Sequence, residues 1–229
     1  MISIRGYIVP NDDKWIYDFL GYDSVSPADI AAALQQAAGQ PVTVEINSLG
    51  GEISAGSEIY SLLRGYAGDV EIHVLGNACS AASVVAMARR CLMAPTAMMM
   101  VHNVSTGAEG DYHVMDDASG RLQTANRALA SAYMAKSGMT EKEALDMMDA
   151  TTWLTAQDAV ERGLVDGVLF DPPAGAETAP LYNGPPGIPR AALDKIRNLV
   201  PHPQRPGGDA DFLRAKAKYE FLKLGGNKA

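Results

Sequence analysis

VTVEINSLGG, from Val42 to Gly51, is the stretch that decides the fold class. β-Branched residues alternate with other side chains up to Ile46, which predicts a strand. Asn47–Gly51 then predicts a loop, because its two glycines permit a positive φ or a close approach of another backbone. The next apolar residues recur with the i, i+3, i+4, i+7 spacing of a helix with one buried face; they are Ile59, Leu62, Leu63 and Tyr66. A strand, a glycine turn and a helix are predicted in that order.

The alternation of strand and helix continues along the chain. Val70–Leu75 predicts a second strand, Gly76-Asn77 a break, and Ala81–Arg89 a short helix of small and apolar residues. Ala97–Val101 is a third apolar run, and it ends at His102. Because strands that alternate with helices imply crossover connections, the fold class is predicted to be α/β.

A long helix is predicted from Asp111 to Gly138, with apolar residues three and four positions apart, as in a heptad repeat. Two interpretations stay open. The helix packs on the core of its own domain, the commoner case for so short a run, or it projects and packs against a copy of itself. Thr140–Asp149 begins with a capping box and predicts a short helix. Thr155–Arg162 predicts another, which Gly163 ends.

The 229 residues fit one sizeable domain with an appended segment. Residues 1–170 are predicted to form the domain, residues 171–206 a linker rich in proline and glycine, and residues 207–229 a short basic helical tail. Residues 1–170 hold 10 Lys and Arg against 21 Asp and Glu, a net charge of −11, and the remainder holds 9 against 6, a net of +3. The acidic domain disfavours nucleic-acid binding, because it repels phosphates. The basic tail is expected to contact an acidic assembly partner.

A cytoplasmic protein that does not enter the membrane is expected. Met1–Asp13 has no apolar run of signal-peptide length. The long uncharged stretch Ile72–Ala88 carries polar side chains that make it a poor membrane span. The two cysteines, Cys79 and Cys91, lie among apolar residues typical of buried free thiols, which excludes a disulfide scaffold. No group of histidine, cysteine and carboxylate residues has metal-ligand spacing, so no metal is predicted.

Ser80 is the first candidate for chemistry. It lies between small residues at a predicted strand-to-helix turn, as a nucleophile elbow requires, although serine is also a preferred helix N-cap. His102 closes an apolar strand and is a candidate general base, although a hydrogen-bonded structural histidine is the commoner case. Gly50 and Gly51 are a third part, because glycine lets backbone N–H groups point at a substrate carbonyl oxygen. The coincidence of the three favours a serine nucleophile.

These residues lie in motifs that resemble, in order and in character, those of the Clp protease proteolytic subunit family. Within that family the sequence looks closest to the head maturation proteases of tailed phages and prophages. The resemblance covers roughly residues 30–169. The motifs are Ile46–Gly51, Ala55-Gly56, Gly76–Ser83, Met100–Asn103, Trp153–Ala156 and Gly163–Asp166.

The resemblance implies a Clp/crotonase-type α/β spiral of strand-helix units with a protruding handle helix, which matches Asp111–Gly138. It also implies serine peptidase activity without metal or organic cofactor, in homo-oligomeric rings that enclose the active sites. Ser80 matches the family's nucleophile and His102 its general base. Gly51 and Ala81 match the backbone donors to the oxyanion, and Gly50 shapes the loop.

The third catalytic position departs from the family pattern. The family has an acid just before the aromatic-Leu-Ser/Thr-Ala motif, and counting back from Trp153 that position holds Thr151. A threonine hydroxyl can orient an imidazole but adds no negative charge. Asp149, two residues earlier, is the candidate substitute. Slow activity, activity that assembly switches on, or a Ser-His dyad is expected.

Three functions are consistent with the sequence. The first is a serine endopeptidase that cleaves scaffold or capsid precursor protein during phage head assembly. The second is a proteolytic subunit fed by an unfoldase ATPase of the AAA+ class, which has to be a separate protein because this chain has no P-loop motif. The third, favoured by Thr151, is a catalytically silent oligomeric scaffold.

Overall fold

Fifteen elements succeed one another within residues 1–170, the part of the chain that the computed structural model describes. Strands and helices alternate over most of this length. In chain order they are β1 (Ile2–Ile8), α1 (Lys14–Leu20), β2 (Ser24–Val25), α2 (Pro27–Ala37), β3 (Val42–Gly51), α3 (Ile53–Gly65), β4 (Val70–Cys79), α4 (Ala81–Ala86), β5 (Arg90–Met93), β6 (Met98–Val101), α5 (Tyr112–Ser137), α6 (Glu141–Asp149), β7 (Thr152–Thr155), α7 (Ala156–Glu161) and β8 (Gly167–Val168). The predicted linker 171–206 and tail 207–229 lie outside the described residues.

The strands form one sheet in the order β2-β1-β3-β4-β5-β8, and every pair along this path is parallel. β6 pairs with the far end of β4 in parallel and with β7 antiparallel. Four β-branched residues of β3 and β4 are fully buried and form the centre of the core; they are Val44, Ile46, Ile72 and Val74. The predicted α/β class is confirmed, and the sheet is largely parallel.

The predicted loop at Asn47–Gly51 is wrong, because β3 continues as a strand through Gly51. The reason lies far away in sequence. β1 pairs with β3 from Val44 onward, and its Tyr7 and Ile8 lie opposite Gly50 and Gly51 after a shift in register. A Cβ on Gly51 would lie 2.0 Å from the carbonyl oxygen of Ile8. The close approach predicted for these glycines is therefore present, but inside a sheet.

The predicted break at Gly76-Asn77 is likewise part of a strand, since β4 runs on to Cys79. At this point β4 leaves β5 and takes β6 as its neighbour. The register between β3 and β4 also shifts here. The side chain of Asn47 fills the irregularity, because its Oδ1 accepts a hydrogen bond from Asn77 N at 3.1 Å.

Helix α5 fits the first interpretation of the heptad spacing over half of its length, and packing against a copy of itself stays a prediction. Its C-terminal half packs on the core, where Ala130, Ala132 and Tyr133 are buried. Its N-terminal half is mostly exposed, and Met115 keeps 42% of its surface accessible. The capping box predicted at Thr140 is formed, and a second capping box is present at Thr155. Among the described helices, none has the length and apolar character that crossing a bilayer requires.

Candidate active site

Ser80 occupies the turn between β4 and α4 in a strained conformation, with φ 54° and ψ −126°. A non-glycine residue with such a backbone costs about 1–3 kcal/mol, and such strain clusters at functional sites. The turn is held by hydrogen bonds: Ser80 N donates to the carbonyl oxygen of Met100 at 2.8 Å, and Ser83 N donates to the carbonyl oxygen of Ser80 at 2.9 Å. The neighbours Cys79 and Ala81 are small and buried, as an elbow requires.

His102 follows the last residue of β6, and its Nε2 lies 2.7 Å from Ser80 Oγ. The sheet explains this meeting. β4 and β6 are parallel neighbours with Cys79 opposite Met100, so their carboxyl ends reach the same edge. A hydroxyl within hydrogen-bond reach of an imidazole nitrogen is the arrangement in which a base can activate a serine.

Gly50 and Gly51 reach the same edge at the end of β3, directly against the serine turn. A Cβ on Gly50 would lie 2.6 Å from the carbonyl oxygen of Cys79 and 2.8 Å from the Cβ of Ser80. The buried Ser48 holds this segment, because it donates to the Gly6 carbonyl oxygen at 2.6 Å and accepts from Gly50 N at 3.0 Å. Ala81 opens α4, and the first N–H groups of a helix have no intrahelical partner. Ser80, His102, the Gly50-Gly51 pair and Ala81 therefore lie together.

The buried hydroxyl groups of Ser83 and Tyr133 support the serine turn through hydrogen bonds. No pattern in the sequence indicates this pair. Ser83 Oγ donates to the carbonyl oxygen of Ser80 at 2.6 Å and lies 2.8 Å from the hydroxyl of Tyr133. Since the one hydrogen of Ser83 Oγ is used on Ser80, the Tyr133 hydroxyl is the donor to Ser83. Burial raises the pKa of Tyr133 to about 12, so the hydroxyl keeps its proton at neutral pH.

The predicted third position is not joined to the imidazole. Thr151 is exposed and has a left-handed backbone with φ 49°. The Asp149 carboxylate accepts a hydrogen bond from Asn103 Nδ2 at 2.6 Å, and Asn103 is the residue after His102. Within residues 1–170, the His102 ring hydrogen-bonds to Ser80 and to no carboxylate. Asn103 Oδ1 is buried and has no hydrogen-bond partner among the described residues.

The other candidate groups near the site have structural environments. Cys79 and Cys91 are buried free thiols, as expected. Burial raises the pKa of both, to about 12 for Cys91, and a protonated thiol is a poor nucleophile. His73 pairs with Glu71 at 2.7 Å. Residues 1–170 contain no group of three or more histidine, cysteine and carboxylate residues that could hold a metal ion.

A groove of about 490 Å³ opens beside Gly51. Ile53 lines it on one side, the segment Val104–Ala108 on another, and the exposed half of α5 on the third. The groove borders Gly51, and the preceding residue, Gly50, lies against the serine turn. An α/β fold with a serine, a histidine and backbone donors at one sheet edge has the parts of a serine hydrolase.

Comparison with known proteins gives the family. The model of the family described as Clp protease matches residues 25–172. The ATP-dependent Clp protease proteolytic subunit 1 of Chlamydia abortus is 28% identical over 137 residues, which are 58% of this chain and 71% of that protein. The ATP-dependent Clp protease proteolytic subunit of Bacteroides fragilis is 30% identical over 136 residues, 58% of this chain and 65% of that protein.

The fold comparison agrees with the sequence comparison. The solved structure of a ClpP1 point mutant from Listeria monocytogenes superposes with a TM-score of 0.60 and 17% sequence identity. It covers 74% of this chain and 91% of that one. The chain belongs to the Clp protease family, and it is a hydrolase of the serine peptidase type.

Proposed function

We propose that this protein is a Clp-type serine endopeptidase in which Ser80 is the nucleophile and His102 the general base. Ser80 Oγ attacks the scissile carbonyl carbon, and its proton passes to His102 Nε2. The N–H groups of Gly51 and Ala81 stabilise the oxyanion, with Gly50 shaping the loop. His102 then protonates the leaving amine, and water hydrolyses the acyl-enzyme by the reverse proton path. The observation that carries the proposal is the 2.7 Å contact between Ser80 Oγ and His102 Nε2.

The catalytic group works as a Ser-His dyad in this proposal. Asp149 contributes indirectly, because its carboxylate holds the Asn103 side chain next to His102. Thr151 supplies no charge to stabilise an imidazolium ion. Replacing the triad acid of a serine protease by its neutral amide lowers turnover by about 10⁴-fold, so slow peptide hydrolysis is expected.

The test of the proposal is covalent labelling by a fluorophosphonate, which reacts with activated serines. The intact 229-residue chain is expected to incorporate one label on Ser80, and a Ser80→Ala variant none. A Ser54→Ala variant is the matched control, since Ser54 lies in the first turn of α3 and outside the proposed catalytic group. Labelling is quantified by intact mass and located by peptide mapping. A wild-type chain that resists labelling in every assembly state would favour the silent scaffold.

The biological setting proposed is phage or prophage head maturation in the bacterial cytoplasm or the procapsid. The chain then works as a homo-oligomeric ring on scaffold or capsid precursor protein. The sequence motifs and the basic segment after residue 170, suited to an acidic assembly partner, support this setting. The relatives described as ATP-dependent favour a second candidate, a proteolytic subunit fed by an unfoldase ATPase. Precursor cleavage without nucleotide separates the first setting from the second.

Thr151→Asp is expected to raise kcat for peptide hydrolysis by about tenfold, a fraction of the effect of a fully formed triad acid. The variant returns a carboxylate to the family's acid position, and aspartate tolerates the left-handed backbone there better than threonine. Steady-state kinetics on a fluorogenic peptide measures the change. Thr151→Asn is the control, because it has the same backbone preference without the charge. Equal rates for both variants would contradict a role for charge at this position.

A further inference from the structure

Two side chains on one face of helix α5 form hydrogen bonds with residues that neighbour the proposed Ser-His pair. The first contact runs from the Tyr133 hydroxyl to Ser83 Oγ at 2.8 Å, and from Ser83 Oγ to the Ser80 carbonyl oxygen at 2.6 Å. In the second contact, Val104 N donates to Asn126 Oδ1 at 2.8 Å. Val104 follows His102 by two residues.

The two contacts have a common geometry. Tyr133 and Asn126 are seven residues apart, which is about two turns of a helix, so both side chains leave α5 on the same side. Ala130 lies between them and is fully buried, which fixes this face against the domain. One helix therefore contacts both the support of the serine turn and the segment that follows the histidine, in addition to the pairing of β4 with β6.

We infer that Tyr133 and Asn126 are positioning residues that set the distance between Ser80 Oγ and His102 Nε2. The inference rests on the proposed function, since it assigns a role within the same site. Tyr133 keeps Ser83 oriented toward the Ser80 carbonyl group, which the strained backbone of Ser80 needs. Asn126 fixes the segment that leaves β6, where neither strand pairing nor a helix holds the chain.

The Tyr133 hydroxyl, the Ser83 hydroxyl and the Ser80 carbonyl oxygen are linked by two hydrogen bonds in the protein interior. Tyr133 is 2% exposed and Ser83 is fully buried, so water does not compensate for a lost partner. A Tyr133→Phe variant keeps the ring and its packing but leaves Ser83 Oγ without its donor. An Asn126→Leu variant keeps the size of the side chain but removes the acceptor for Val104 N. Both substitutions address the hydrogen bonds and leave the volume of the core nearly unchanged.

Each variant is expected to lower kcat for peptide hydrolysis about tenfold while KM stays unchanged, because catalysis is sensitive to displacements well below 1 Å. Asn126→Asp keeps an oxygen acceptor and is expected to restore kcat. Tyr66→Phe is the matched control, since it removes a tyrosine hydroxyl that donates to the Gln40 carbonyl oxygen elsewhere. Its kcat is expected to equal the wild-type value. Thermal unfolding of all variants accounts for general losses of stability.

Amide hydrogen exchange supplies a readout that does not depend on activity. The Val104 amide is expected to exchange faster in Asn126→Leu, and the Ser83 amide faster in Tyr133→Phe. Unchanged kcat or unchanged exchange in these two variants overturns the inference, even where Ser80 is labelled normally. A wild-type chain that neither hydrolyses peptide nor reacts with fluorophosphonate overturns the proposed function instead. In that case the exchange rates alone decide whether α5 anchors the two segments.

Discussion

His102→Ala is expected to lower kcat for peptide hydrolysis about a hundredfold and to abolish labelling of Ser80 by a fluorophosphonate. In a serine protease with a full triad, removal of the histidine costs roughly 10⁶-fold in kcat. The absence of the acid alone lowers kcat by about 10⁴-fold. The histidine of a Ser-His dyad therefore contributes the remaining factor in kcat, about a hundredfold. The loss falls on kcat, since the imidazole acts on the proton of Ser80 Oγ, 2.7 Å away, and not on substrate binding.

The matched control for this variant is His73→Ala. His73 also pairs with a neighbour, Glu71, but the pair lies on β4 well before the serine turn. Partly exposed pairs of this kind contribute little to stability. We would measure steady-state kinetics and the rate of fluorophosphonate labelling on His102→Ala, His73→Ala and Ser80→Ala side by side. These measurements test whether His102 is the general base. Equal activity of His102→Ala and the wild type would remove the general base from the proposal.

The contact between Ser80 and His102 is predictable because it depends on local pattern and on one topological rule. His102 closes a predicted apolar strand, and Ser80 lies at a predicted strand-to-helix junction. Parallel neighbouring strands carry their carboxyl ends to the same sheet edge, so the two side chains are expected to meet. The pairing of β4 with β6 satisfies that condition. The role of these residues in catalysis stays a proposal.

The misassigned segments have a different origin. Asn47–Gly51 carries the turn-forming residues that favour a loop in isolation. It is a strand because β1, near the start of the chain, pairs with it. Gly51 has no side chain, so the backbone of β1 can lie close to it. Pairing between distant segments overrides local preference, and no pattern within residues 47–51 encodes the partner.

The supporting residues were unpredictable for the same reason. Tyr133 and Ser83 are 50 positions apart, and Asn103 and Asp149 are 46 apart. Each looks like an ordinary helix or loop residue in the sequence, and only the packing of α5 and α6 on the sheet brings the partners together.

Gly50→Ala is expected to lower kcat roughly a hundredfold and to slow labelling of Ser80 to a similar degree. Gly50 has a φ of 97°, which side chains other than glycine rarely adopt. The added Cβ would lie 2.6 Å from the carbonyl oxygen of Cys79, 2.8 Å from the Ser80 Cβ and 3.0 Å from Ala81 N. Two of these three atoms belong to the backbone, so the turn itself has to shift. Displacement of the nucleophile and of an oxyanion donor by about 1 Å is enough to cost a hundredfold.

Gly120→Ala is the control for this substitution. Gly120 lies within α5, where a Cβ meets no atom within 4 Å. Alanine in the interior of a helix is favoured over glycine by about 1 kcal/mol, so this variant is expected to be at least as stable as the wild type and equally active. Gly50→Ala is expected to keep its sheet, because the clash falls on the serine turn and not on β1. Circular dichroism, thermal unfolding and the labelling rate together separate a displaced nucleophile from an unfolded domain. A folded Gly50→Ala protein with wild-type kcat would show that the oxyanion is stabilised by some other segment than the one that ends β3.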